Sequence, residues 1–176
     1  MKIELIYVTG FMGSGKTTIG KILAKKLKYK FIDLDVLIEK KEKRKISDIF
    51  KESGEPYFRK LEKEYLKKVS NSGGKVISLG GGALMNNENR KFVKDKGILI
   101  YLKVTPGEIY NRIKHSTDRP LLKKDDNTLC NKDEFIDRIS LLFAQREPGY
   151  LSAEVIVDTV GKSPEQVASE IYLIIH

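Results

Sequence analysis

Cysteine and histidine are scarce in this 176-residue sequence, which has one cysteine, Cys130, and two histidines, His115 and His176. A lone cysteine cannot close an internal disulfide, which fits a reducing compartment. Neither histidine has a cysteine or histidine partner at ligand spacing, which argues against a structural metal site. No apolar run approaches the roughly 20 residues that span a bilayer. The segment from Met1 to Thr9 has no basic stretch and no small-residue cleavage site, so it reads as a first strand and not as a signal peptide. Repeats and low-complexity linkers are missing too. A single cytoplasmic domain covering residues 1–176 is therefore expected, because a chain of this length holds one good core and not two.

What the sequence does have is charge. Charged residues make up 32% and hydrophobic residues 40% of the chain, and 33 Lys and Arg against 24 Asp and Glu leave a net charge of +9. Such a balance can serve an anionic partner. However, Lys21, Lys25, Lys26, Lys28 and Lys30 lie on or just after a helical stretch and read as a solvated face. No basic-aromatic stacking pattern of the kind that binds nucleic acid accompanies the charge. Neither nucleic acid nor a membrane is expected as a partner.

Short apolar runs alternate with helical patterns. The candidate strands are Glu4–Thr9, Lys30–Asp33, Lys75–Leu79, Ile98–Leu102 and Glu154–Val157, mostly continuous apolar runs of the kind buried on both faces. Helical patterns occupy Lys16–Leu27, Glu55–Ser70, Asn87–Lys96, Pro106–Lys114 and Glu134–Gln145. A final helix opens on Ser163 as N-cap, Pro164 in the first turn and Gln166 closing a capping box. This alternation predicts an α/β fold with a mainly parallel sheet. The stretch Ser116–Lys132 is polar and loop-like.

Gly10-Phe11-Met12-Gly13-Ser14-Gly15-Lys16-Thr17 fits G-x-x-x-x-G-K-[ST] and stands between the first strand and the first helix. Glycines let backbone N–H groups turn inward around phosphate oxygens, and the helix N-terminus adds a favourable dipole. Lys16 is placed to reach the β- and γ-phosphates and the Thr17 hydroxyl to hold Mg²⁺. The pattern predicts nucleoside triphosphate binding. A GTPase would add a base-reading N-K-x-D motif. Asn131-Lys132-Asp133-Glu134 has Glu where that motif needs Asp and follows a polar loop, so it reads as a chance match.

Phe31-Ile32-Asp33-Leu34-Asp35 ends the second strand with two carboxylates. Strand alternation would put both on one side if the strand continued, a turn would separate them, and an Asp at a strand end is often only a helix cap. The functional reading gives Asp35 the acceptor hydroxyl and places Asp33 nearer Mg²⁺ and its waters. Gly80-Gly81-Gly82 follows the third strand and permits close backbone approach to a ligand or to another segment. Ser78 stands where P-loop enzymes often place a polar group near the metal.

These motifs, with Tyr57-Phe58-Arg59-Lys60-Leu61-Glu62, Leu79–Ala83, Arg119-Pro120-Leu121-Leu122 and Arg146-x-Pro148-x-Tyr150, occur in the order seen in shikimate kinases, and the chain resembles that family over nearly its full length. The resemblance implies a three-layer P-loop kinase fold, with a five-stranded sheet, helices on both faces and a mobile lid over about 116–132. It implies transfer of the ATP γ-phosphoryl group to the 3-hydroxyl of shikimate, in aromatic amino-acid (chorismate) biosynthesis, by a monomer using Mg²⁺. Carried over by position, Lys16, Asp35 and Arg119 would be catalytic. ATP would be bound by Gly13, Ser14, Gly15, Lys16, Thr17, Thr18, Arg112, Arg119 and, from the Asp158–Pro164 loop, Pro164. Shikimate would be bound by Asp35, Arg59, Gly80, Gly81, Gly82 and Arg146, with the two arginines gripping its carboxylate. Thr17 would hold the metal directly and Asp33 through water. The acceptor-binding region would be about 33–61.

The competing readings are another small-molecule P-loop kinase, such as a gluconate or nucleotide kinase, and a non-enzymatic nucleotide-binding regulator or nucleic-acid module. One departure from the family is the number of residues between Arg119 and Arg146, which is larger than usual around Lys124–Lys132 and implies a longer lid. Cys130 falls in this stretch and reads as an exposed or half-buried bystander.

Overall fold

Five strands form where the apolar runs stand: β1 (Leu5–Thr9), β2 (Lys30–Asp33), β3 (Lys75–Ser78), β4 (Ile98–Lys103) and β5 (Val155–Asp158). The computed structural model describes residues 4–114 and 130–176, so His115, Arg119 and nearly all of the expected lid lie outside the described residues. Every strand pairing is parallel, in the order β2-β3-β1-β4-β5. Parallel neighbours need crossover connections, and helices supply them. These are α1 (Lys16–Leu27), α2 (Leu34–Glu42), α3 (Ile46–Val69), α4 (Asn87–Lys96), α5 (Pro106–Ile113), α6 (Lys132–Tyr150) and α7 (Pro164–Ile175). No helix among the described residues is long and apolar enough to cross a membrane.

The three layers follow from the pleat of β1, in which alternate side chains point to opposite faces. Leu5 and Tyr7 join Leu34, Ile38, Ile49, Phe58, Leu66 and Val93, so α2, α3 and α4 cover one face. Ile6 and Val8 join Ile19, Leu23, Val167 and Ile171, so α1 and α7 cover the other. A third cluster of Phe11, Tyr101, Ile109, Phe135, Ile139 and Tyr150 packs α5 and α6 beside the phosphate loop. Each large apolar side chain in these clusters contributes about 1.5–3 kcal/mol through burial.

The helix ends are well specified. Ser163 and Gln166 form the expected capping box, with Pro164 at the first position of α7. Asn131 and Glu134 form a second capping box at the start of α6, which accounts for the near-match to a base-reading motif.

Several expectations need correcting. The sequence pattern misses α2 altogether and the first half of α3, because Gly54 and Pro56 interrupt the helical period there. Gly54 sits at φ 81, ψ 162, a break that splits α3 into two segments. Helix α6 begins two residues earlier than expected and continues through Pro148 to Tyr150. Cys130 is buried at 6% exposure in the third apolar cluster, not exposed or half-buried. The lysines at 21, 25, 26, 28 and 30 are exposed, as read.

Candidate active site

The phosphate loop leaves the fully buried strand β1 and turns on Gly13 (φ 75) and Gly15 (φ 95), a backbone region that side chains disfavour. Its turn aims the N-terminus of α1, where backbone N–H groups have no intrahelical partner, into an open cavity. Lys16 Nζ folds back over the loop and donates to the carbonyls of Gly10 at 2.9 Å and Phe11 at 3.1 Å. The cavity holds about 480 Å³ and is lined by Gly13, Gly15, Lys16, Thr17, Thr18, Asp33, Asp35, Ser78, Gly81, Arg112 and Arg146, among others. Thr17 Oγ1 donates to Asp33 Oδ2 at 2.7 Å, so the two expected metal contacts stand together.

A second hollow, of about 320 Å³, opens behind the loop between Gly13, Ser14, Glu108, Arg112, Thr159, Lys162 and Pro164. Arg112 organises it. Its Nη1 donates to Thr159 Oγ1 at 3.1 Å, its Nη2 to the Thr159 carbonyl at 2.8 Å and its Nε to Glu108 at 2.9 Å. Arg112 and the 158–164 loop, which are far apart in sequence, thus form one wall.

The ambiguity at Asp33 and Asp35 resolves through α2. Asp33 Oδ1 caps the helix by accepting from the Val36 N–H at 3.3 Å, and Asp35 lies in its first turn. The turn sends Asp35 toward the β3 end, where its Oδ1 is shielded from solvent and has no hydrogen-bond partner among the described residues. Burial raises the Asp35 carboxyl above its ordinary value, with Asp33 adding to the shift, while Lys16 and Arg59 oppose it.

Beside Asp35 lies a small hollow of about 130 Å³ lined by Asp35, Ile46, Phe50, Phe58, Arg59, Glu62, Gly80, Gly81, Gly82 and Arg146. It adjoins the phosphate cavity, since Asp35, Gly81 and Arg146 belong to both. The three glycines clear the floor for charged groups. A Cβ on Gly80 would stand 2.7 Å from Asp35 Oδ1 and 2.8 Å from Glu62 Oε1, and one on Gly82 would stand 2.6 Å from Arg59 Nη2. Arg146 lies over the Phe11 ring at 5.5 Å, and Tyr150 fixes the floor by donating its hydroxyl to the Gly81 carbonyl at 2.5 Å. The expected site residues within the described part of the chain line these three hollows around the phosphate loop; Arg119 lies outside the described residues.

Sequence reasoning missed two glutamates. Glu62 is 1% exposed and accepts from Arg59 Nη1 at 2.8 Å. Burial pushes its carboxyl up to about 7 despite the pull of Arg59. Glu55 accepts from Arg59 Nε at 3.0 Å and Nη2 at 2.9 Å. Their i,i+3 and i,i+4 spacing from Arg59 on a helix was the available signal. Chemically, the cleft offers amides and an ammonium for a phosphate chain, a carboxylate for a hydroxyl, and two guanidinium groups for an anionic acceptor.

Comparison with known proteins agrees with this chemistry. The family model for shikimate kinase matches residues 12–176. A shikimate kinase from Chlorobium phaeobacteroides is 47% identical over 172 residues, covering 96% of this chain and 90% of the relative. Among solved structures, shikimate kinase from Bacteroides thetaiotaomicron superposes with a TM-score of 0.88 at 33% identity, covering 98% of each chain. The Acinetobacter baumannii shikimate kinase, solved in complex with shikimate, superposes with a TM-score of 0.83 at 32% identity, covering 98% of this chain and 93% of that one.

Proposed function

The chain belongs to the shikimate kinase family and is an ATP-dependent kinase acting on shikimate; we propose that it phosphorylates the 3-hydroxyl, yielding 3-phosphoshikimate and ADP for chorismate biosynthesis. The observation that carries the residue assignment is the position of Asp35. It is shared by the phosphate cavity and the small hollow, with Lys16 on one side and Arg59 and Arg146 on the other. Asp35 holds the reacting hydroxyl and accepts its proton, and its raised affinity for protons suits that role. Arg59 and Arg146 grip the substrate carboxylate, and the glycines at 80–82 bring the backbone against the sugar-like ring. Lys16 and the amides of Gly13, Ser14 and Gly15, with Thr17 and Thr18, hold the phosphates. Arg112 and Pro164 flank the adenine. Phosphoryl transfer needs alignment and charge neutralisation more than covalent help, and these groups provide both.

The donors at the loop fit Mg²⁺. A hydroxyl and a single carboxylate meet at Thr17 and Asp33, and no group of three or more carboxylate, histidine or cysteine ligands occurs among the described residues. Mg²⁺ is held in this sparse way in phosphate-transfer sites, keeping several waters and taking phosphate oxygens. Thr17 would bind it directly and Asp33 through water, and when bound it neutralises charge on the β- and γ-phosphates. Arg119, in the proposed lid over about 116–132, is assigned to the phosphates as well. We further propose that the chain acts as a single-domain monomer in the cytoplasm, with its acceptor-binding region at about 33–61 and with no nucleic-acid or membrane partner. The single continuous sheet supports the domain reading.

ADP release tests the proposal, with shikimate, gluconate and AMP offered separately against an acceptor-free control. Shikimate alone should support turnover, and Asp35→Asn should lower kcat by about 10²–10⁴-fold. Near-normal turnover by Asp35→Asn would refute the assigned proton acceptor, and turnover with gluconate or AMP alone would refute the substrate.

A further inference from the structure

We propose that Glu55 sets the affinity of the acceptor site by competing with the substrate carboxylate for Arg59. The inference rests on the reading of Arg59 as a carboxylate ligand. A guanidinium grips a carboxylate two-on-two through an edge where two N–H bonds run parallel. In this molecule the Nε–Nη2 edge of Arg59 is engaged by Glu55 Oε1, at 3.0 and 2.9 Å, while Nη1 is engaged by Glu62 at 2.8 Å. Arg59 therefore meets two carboxylates of its own chain before any substrate arrives.

The two glutamates are not equivalent. Glu62 is 1% exposed and wedged beside Gly80, so it stays where it is. The Glu55 side chain is 64% exposed, so water receives its carboxylate when Arg59 lets go. Glu55 also follows the break in α3 directly. Gly54, at φ 81 and ψ 162, occupies a region open essentially to glycine alone. Pro56 then suits the first turn of the segment beyond the break. Glu55 thus opens a helical segment, where its backbone is least constrained by intrahelical bonds. An incoming carboxylate takes over the Nε–Nη2 edge, Glu55 turns to solvent and Glu62 keeps Nη1 fixed. The charge balance favours the same exchange. Arg59 and Arg146 share the hollow with Asp35 and Glu62, so a third anion at Arg59 opposes an anionic substrate.

The test is shikimate KM and kcat for Glu55→Gln, with binding of shikimate measured by calorimetry in the full-length protein. An exposed ion pair of this kind is worth at most about a fivefold factor, so KM and Kd should fall about two- to fivefold while kcat holds. Glu55→Ala should move KM in the same direction. A merely structural role predicts the opposite sign, because an acidic residue in a helix's first turn stabilises it and its loss can only loosen the site. An unchanged or raised KM in both variants overturns the proposal. In an Arg59→Ala background the Glu55→Gln gain should vanish. If Arg59→Ala itself leaves shikimate binding intact, Arg59 is no carboxylate ligand and the underlying site reading fails along with the proposal. If Arg59→Ala weakens binding and Glu55→Gln does not tighten it, the proposal alone fails.

Discussion

Replacing Gly82 with alanine should weaken shikimate binding without unfolding the protein. Gly82 sits at φ −108, ψ −1, which alanine adopts without strain, so the backbone is not perturbed. The added Cβ would stand 2.6 Å from Arg59 Nη2 and 3.0 Å from both Cζ and Nη1. Non-bonded carbon contacts are optimal near 3.5–4.0 Å, so the guanidinium must retreat by roughly 0.5–1 Å. It is the tip of a long side chain, which makes the retreat cheap for the fold, but the retreat strains its ion pairs with Glu55 and Glu62. The displaced fork would then meet the carboxylate it is proposed to bind out of line. Losing one charged hydrogen bond costs about 1.5–3 kcal/mol, or roughly 10- to 100-fold in KM for shikimate. The assay is coupled ADP release across a shikimate titration, repeated across an ATP titration, with a thermal melt of both proteins. The ATP KM should hold, because Gly82 lines neither the phosphate cavity nor the hollow at Arg112. A shikimate KM within twofold of the parent, or an ATP KM rising in parallel, would refute the reasoning.

Two further outcomes follow from the site. Burial raises Glu62 from 4.5 to about 7, so the folded protein keeps a proton that the unfolded chain releases; the stabilisation is complete below about pH 4.5 and is lost as pH rises through 7, amounting to roughly 3 kcal/mol. Glu62→Gln should therefore flatten the fall in melting temperature between pH 5 and pH 8, and an unchanged pH slope would show that Glu62 does not titrate in that window. Arg112→Ala should raise the ATP KM about tenfold and leave the shikimate KM alone, since its bonds to Thr159 shape only the nucleotide side; parallel titrations of the two substrates check this.

Much of the sheet and the nucleotide half of the cleft was legible in the chain. The five apolar runs are buried on both faces or paired at an edge, and their continuity signals that directly. The P-loop works through local backbone geometry, so sequence pattern and structure coincide from Gly10 to Thr17. The acceptor half was legible only in part. Helix α2 offers few apolar landmarks, with Leu34 and Ile38 alone fully buried, and its first residues doubled as a strand end with two carboxylates. Gly54 and Pro56 hid the first half of α3 because each disfavours helix when taken singly. The character of Glu62 comes from what surrounds it in space. Its burial depends on Gly80, Asp35 and Arg59 meeting across three elements, which no single stretch of sequence encodes. Cys130 was misjudged for the same reason: it stands in a mostly polar stretch of sequence, but its neighbours in space are Phe135, Ile139 and other members of the third cluster.

Asp33 divides its two oxygens between Val36 and Thr17. One carboxylate thereby pins the helix that carries Asp35, the proposed proton acceptor, to the helix that opens at the phosphate loop, and so sets the spacing between the proposed acceptor and nucleotide sites. The two halves of the cleft cannot be retuned separately at this position. On the proposed assignments, a substitution there would disturb metal, nucleotide and acceptor at once, so a mutational survey would register a single broad defect at residue 33, with no clean assignment to any one ligand.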